Sequence, residues 1–157
     1  MQPKGGVYLL VLRLVSDQSI AVGRSGAQAD FRAGWYVYVG SAIGPGGVKS
    51  RVCRHRLRSE DGKKLRWQID FLCEFAIVTE AWFSYTRSKR WEHEWAKACC
   101  EMRGSAIPVA GFGAGDCSRG CPAHLVYFTN RPRQTDFLKG LREHWERHPP
   151  VTKIRLD

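Results

Sequence analysis

The chain has 157 residues and carries 25 lysines and arginines against 15 acidic residues, a formal charge of +10. That length suits one domain able to bury its own core, and the basic excess, spread from Arg13 to Arg155, makes a field that attracts polyanions. No run of about 18 apolar residues is present to cross a membrane and no signal-peptide core follows Met1, so a soluble, cytoplasmic protein is expected; its six cysteines are then expected as thiols or metal ligands rather than disulfides.

In chain order, Gly6 to Leu14 is a nearly continuous apolar run, which predicts a central strand covered on both faces. A short strand is expected at Ile20 to Val22, followed by a glycine-punctuated loop from Gly23 to Gly34. In Trp35-Tyr36-Val37-Tyr38-Val39 the period is two. Tyr36 and Tyr38 therefore share one face of a strand, and Trp35, Val37 and Val39 share the other. After the breaker Gly40 to Gly47, a helix is predicted from about Val48 to Ser59, with Arg51, His55 and Arg58 at i, i+4 and i+7 as a basic ridge.

Another strand is expected in Phe75 to Phe83. A helix from about Ser88 to Arg103 follows, its core stripe made by Trp91, Trp95, Ala98, Cys99 and Met102. The glycine-rich segment Gly111 to Cys117 precedes a strand at His124 to Thr129. A last helix, roughly Thr135 to Arg147, turns Phe137, Leu138, Leu141 and Trp145 inward and stops before Pro149-Pro150. The tail from Val151 to Asp157 reads as either an edge strand or disorder. No repeat, low-complexity tract or long linker divides the chain, which predicts one domain over 1–157 with a core at about 6–103 and an extension at about 104–148.

Phosphodiester hydrolysis needs a nucleophilic water, charge stabilisation at the phosphoryl oxygens and help for the leaving oxygen. Arginine, a carboxylate-held metal and a phenol can supply these. Singly, each such residue has an ordinary structural alternative, a strand tyrosine or a solvated helix residue. In order they are more specific: Gly6-Val7-Tyr8, Tyr38-Val39-Gly40, Arg51 with His55, and Glu94-Trp95-Ala96. This succession resembles the motifs of the GIY-YIG nuclease superfamily. The ending, Gly111-Phe112-Gly113 through Asp116-Cys117 to His124-Leu125, resembles a little-characterised branch of that superfamily.

The resemblance implies an α+β fold, a small central antiparallel sheet flanked by helices with the active site on one sheet face. It also implies a metal-dependent endonuclease acting on DNA, directed by structure more than by sequence. Glu94 would hold Mg²⁺ or Mn²⁺, Arg51 would neutralise charge on the phosphoryl oxygens, and Tyr8 would be the base. Tyr38 would orient Tyr8, and His55 would relay a proton or contact phosphate. Glu92 is the fallback for Glu94, because both border the core stripe on opposite sides and amphipathicity does not separate them. A phenol titrates near pH 10, so this role needs cations to lower its pKa.

Two departures bear on that expectation. Tyr8 and Tyr38 are further apart than in the superfamily, so a strand and loop must be inserted between them without separating their strands in the sheet. Trp67-Gln68-Ile69-Asp70 also stands where the branch has a histidine in the second place.

Arg51, Arg54, Arg56, Arg58, Lys63, Lys64 and Arg66 are the candidate phosphate contacts, and with them and exposed aromatics for stacking the same scaffold could be a non-catalytic nucleic-acid-binding module. A Cys-x₃-Cys-x₂-His cluster of Cys117, Cys121 and His124, with Asp116 or a distant cysteine as a fourth ligand, has residue types suited to Zn²⁺. In the alternative, Asp116 caps a turn, the cysteines are buried and His124 hydrogen-bonds within the fold.

Overall fold

In a computed structural model, which describes residues 4–23, 25–114, 119–144 and 148–157, seven strands and four helices form an α+β fold. The strands are β1 (Gly6–Leu14), β2 (Gln18–Ala21), β3 (Gln28–Phe31), β4 (Gly34–Ser41), β5 (Ile77–Tyr85), β6 (Leu125–Phe128) and β7 (Thr152–Arg155). The helices are α1 (Gly47–Arg56), α2 (Gln68–Leu72), α3 (Arg90–Glu101) and α4 (Gln134–His144). Five strands make one antiparallel sheet in the order β6-β4-β1-β5-β7, and β2 pairs with β3 in a separate hairpin.

The apolar run of β1 lies at the centre of the sheet and feeds both faces. Leu10, Leu12 and Leu14 join a core with Val48 and Val52 of α1, Ile69 and Leu72 of α2, and Ile20 and Phe31 of the hairpin. Val7, Leu9 and Val11 point the other way, into a core with Trp95 and Cys99 of α3 and Phe137 and Leu141 of α4. The period of two in β4 divides it as expected: Tyr36 and Tyr38 enter the first core, Val37 and Val39 the second. Among the described residues no helix is long and apolar enough to cross a membrane.

Several boundaries differ from the sequence reading. The loop expected at Gly23 to Gly34 contains β3, whose polar Gln28-Ala29-Asp30 gives no strand signal and which is held by pairing with β2 and by burial of Phe31. Helix α1 ends at Arg56, so Arg58 falls beyond it, at the start of a single 3₁₀ turn, Ser59–Asp61. The expected basic ridge is consequently broken: His55 is 1% exposed, beneath the sheet, with Val48 and Val52. Helix α2, only five residues long, is too short for a periodic signal. The tail forms the edge strand β7. Trp145 and Arg147 of the expected last helix lie outside the described residues.

The hairpin leaves β1 and β4 as neighbours, with Tyr8 paired opposite Gly40. Gly40 is needed there, because a Cβ at this position would collide with the Tyr8 hydroxyl.

Candidate functional site

At the end of the sheet where β4 runs out, a cavity of about 330 Å³ is lined from both sides. Tyr8 and Tyr38 come from the sheet, Arg51 from α1 and Trp67 from just before α2. The other wall is made by Lys89 and Glu92 at the start of α3, with His93 and with His124 ahead of β6. The two tyrosine rings stand 6.5 Å apart between centroids.

Tyr8 meets His55 through a hydrogen bond of 2.7 Å between its hydroxyl and Nε2. Burial pushes the Tyr8 phenol well above its ordinary pKa and Tyr38 adds to this, outweighing the field of Arg51. Tyr38 is raised as well, by burial and then by Glu92. His55 moves the other way, down to about 3, chiefly by burial, so its imidazole is neutral at ordinary pH. Its Nδ1 is buried without a hydrogen-bond partner.

Glu92, not Glu94, occupies the cavity. Glu94 instead lines a separate cleft with Lys97 and Cys121. The physical reason lies in how α3 is rotated against the sheet. Residues advance by about 100° along a helix, and Ala96, absent from the expected stripe, is fully buried beside Trp95, Ala98 and Cys99. That centres the buried arc on the Glu92 side. Burial acts to raise the Glu92 carboxyl, but hydrogen bonds from His124 and Ser41 and the nearby His124 and His93 outweigh it, and its pKa is lowered. Glu92 is therefore an ionised carboxylate aimed into a basic cavity.

Arg51 stacks over the half-exposed ring of Trp67, 4.6 Å from its centroid. Arg54 stacks there too, at 4.4 Å, but its guanidinium is turned inward. It donates to Asp70 from Nη1 at 2.7 Å and from Nη2 at 2.9 Å, and from Nη2 to the Lys64 carbonyl. Asp70 accepts further bonds from the backbone N–H groups of Arg66 and Trp67. Lys63 is buried, its Nζ 4.0 Å from Asp70. Arg54 and Lys63, expected as phosphate contacts, thus serve the buried Asp70 and line no part of the cavity. Arg56, exposed, donates to the Leu156 carbonyl, and Arg58 is half-buried with its backbone N–H bonded to Asp61. Lys64 and Arg66 are exposed.

Gln68, where the branch has a histidine, accepts a hydrogen bond of 2.8 Å from the Gly113 N–H. It thereby seats the glycine-rich segment against Tyr38, whose ring a Cβ on Gly113 would press at 3.1 Å.

Of the expected zinc ligands, Cys117, like Asp116, lies outside the described residues. Cys121 and His124 do come together, with His93 as a third potential ligand, all three donor atoms within 4.8 Å of one another. His93 carried no motif signal. It precedes Glu94 on the outer side of α3 and reaches the cluster only through tertiary packing. Lys89 and Ser41 were likewise invisible, since each is an ordinary polar residue beside a turn.

Comparison with known proteins gives one match. A family model described as Domain of unknown function DUF123 matches residues 7–147. No curated protein and no solved structure matches the chain.

Proposed function

The chain belongs to the family described as Domain of unknown function DUF123, and from that premise we propose that it is a divalent-metal-dependent endonuclease of the GIY-YIG type, hydrolysing phosphodiester bonds in DNA. The observation that carries this reading is the convergence of Tyr8, Tyr38, Arg51 and an ionised Glu92 on one cavity, although they come from four separate elements. Recognition rests on backbone and shape, because the cations around the cavity offer phosphate contacts and Trp67 a surface for stacking.

Each residue has a distinct task. Arg51 neutralises charge growing on the phosphoryl oxygens, held in position by the Trp67 ring. Lys89, exposed at the rim, draws the neighbouring phosphates in. Tyr8 takes a proton from the attacking water and passes its own phenolic proton to Nε2 of neutral His55. Moving the two protons together avoids a free phenolate, but it charges an imidazole that burial holds neutral. Tyr38 closes the far side of Tyr8. A hard oxygen ligand with lowered pKa suits Mg²⁺ or Mn²⁺, and the residues present fit one such ion, held by Glu92 with waters completing its shell. When bound, that ion would polarise the phosphoryl oxygen and favour ionisation of water.

One observation favours a second reading, a non-catalytic nucleic-acid-binding module. The Tyr8 phenol and His55 are both held in their neutral forms by burial, a state in which neither is prepared as a strong base.

Cleavage of branched, duplex and single-stranded DNA by the wild type, Glu92→Gln and Glu94→Gln decides between them. Loss of Mg²⁺-dependent cleavage by at least about a hundredfold in Glu92→Gln, with binding retained and Glu94→Gln near wild type, is the expected result. Binding without cleavage in all three would establish the second reading.

A further inference from the structure

Beside Glu92, the side chains of His93, Cys121 and His124 gather where α3 meets the segment leading into β6, and both histidines also line the cavity. Their donor atoms lie within 4.8 Å of one another. The Sγ of Cys121 is 3.5 Å from Nδ1 of His93, and the two imidazole rings are 5.9 Å apart in an edge-to-face arrangement. His124 is almost fully buried, and the other two are half-buried. Two imidazoles and a thiol form a soft nitrogen and sulfur set, in contrast to the hard carboxylate next door. Such a set suits zinc, which takes ligands of both types in a tetrahedron, and does not suit Mg²⁺.

A second observation concerns the orientation of His124. Its Nδ1 stands 3.4 Å from Oε1 of Glu92. Histidines that bind a metal through one ring nitrogen commonly donate the other N–H to a carboxylate, which fixes both the tautomer and the ring.

We propose that His93, Cys121 and His124 hold one zinc ion, and that this ion sets the position of Glu92 through the His124 ring. The fourth tetrahedral position is left for water or a further side chain. On binding, the Cys121 thiol loses its proton to solvent and the thiolate bonds the metal, while both histidines ligate in their neutral forms. The ion ties α3 to the segment ahead of β6, whose backbone is otherwise joined to its surroundings by bonds such as His124 N–H to Phe112 and Val39 N–H to the His124 carbonyl. The consequence for cleavage rests on the endonuclease reading: a chelator that strips the soft site weakens Mg²⁺ activation at Glu92 without touching that carboxylate.

Cobalt substitution tests the site. Metal-stripped wild-type protein is titrated with Co²⁺ and the cobalt is then displaced by Zn²⁺. One equivalent should bind with the ligand-field bands of a tetrahedral centre and a sulfur-to-cobalt charge-transfer band. Cys121→Ser should lose that charge-transfer band. His93→Ala should bind more than about tenfold more weakly, and Glu92→Gln should keep the band with affinity lowered about 10- to 100-fold.

Absence of the sulfur band in the wild type overturns the site without reference to any variant, and so does its persistence in Cys121→Ser. Unchanged affinity in Glu92→Gln overturns the link through His124. A wild type that shows the band but cuts no DNA with Mg²⁺ supports the zinc site and removes the endonuclease reading. Mg²⁺-dependent cutting by a protein that binds no cobalt does the reverse.

Discussion

Burial holds His55 down to about 3, against about 6.5 for histidine in an unfolded chain. The unfolded state therefore binds a proton as pH falls below about 6.5, while the folded state does not. Stability from this residue is complete above that value and is lost as pH falls from it toward about 3. Between pH 7 and 5 the loss is about 2 kcal/mol for such a shift. His148, also lowered, chiefly by burial, contributes to the wild-type slope, so the difference between proteins isolates His55. Urea unfolding of the wild type and His55→Gln over this range should give curves that converge as pH falls, and parallel curves would show that His55 is protonated in the folded protein. The same neutral imidazole is what the Tyr8 hydroxyl meets, so the acid sensitivity of the fold and the proton path of the proposed reaction have one origin.

Between α1 and α2 the connection is organised around a single carboxylate. Asp70 is buried; burial acts to raise its pKa, but the Arg54 guanidinium and the N–H groups of Arg66 and Trp67 outweigh this and lower it. Asp70→Asn should cost about 3–5 kcal/mol, the usual penalty for removing one partner of a buried ion pair, read as a fall in the denaturant midpoint. The wild type should lose this contribution only below the usual aspartate range near pH 4, as pH falls through the depressed folded value. Elements of this kind mark where sequence legibility ends. The strands were readable because their side-chain period has a direct meaning, as in the division of Tyr36 and Tyr38 from Val37 and Val39. The turn 63–67 and α2 depend on Asp70 meeting Arg54 across 16 positions, which no local pattern reports. At the site, Tyr8, Tyr38 and Arg51 were legible from the order of motifs. Glu92 was not separable from Glu94 until the rotation of α3 was known, because the deciding residue, Ala96, is too small to declare its face.

Across the molecule, if the proposed function holds, the charge of +10 and the cations about the cavity should give a nucleic-acid affinity that falls steeply with salt. Fluorescence anisotropy should give a straight line of log K against log salt. Arg51→Ala and Lys89→Ala should each reduce the slope by about one, as expected for the loss of one phosphate contact. Lys63→Ala, altering a buried ammonium beside Asp70, should leave the slope unchanged, and equal reductions in all three would mean that Lys63 becomes exposed on binding. The hairpin of β2 and β3 carries a different consequence, one for the order of folding. It occupies the stretch between the tyrosine strands, and its pairing is local, Ile20 opposite Ala29 and Gln18 opposite Phe31. Once it closes, β1 and β4 are brought together across a short connection in place of an open coil. Each halving of the effective loop lowers the entropy of closure by about 0.6 kcal/mol. The inserted segment thus acts as a tether that shortens the search of one tyrosine strand for the other, so that a long interruption in sequence adds little to the loop that must close to build the cavity.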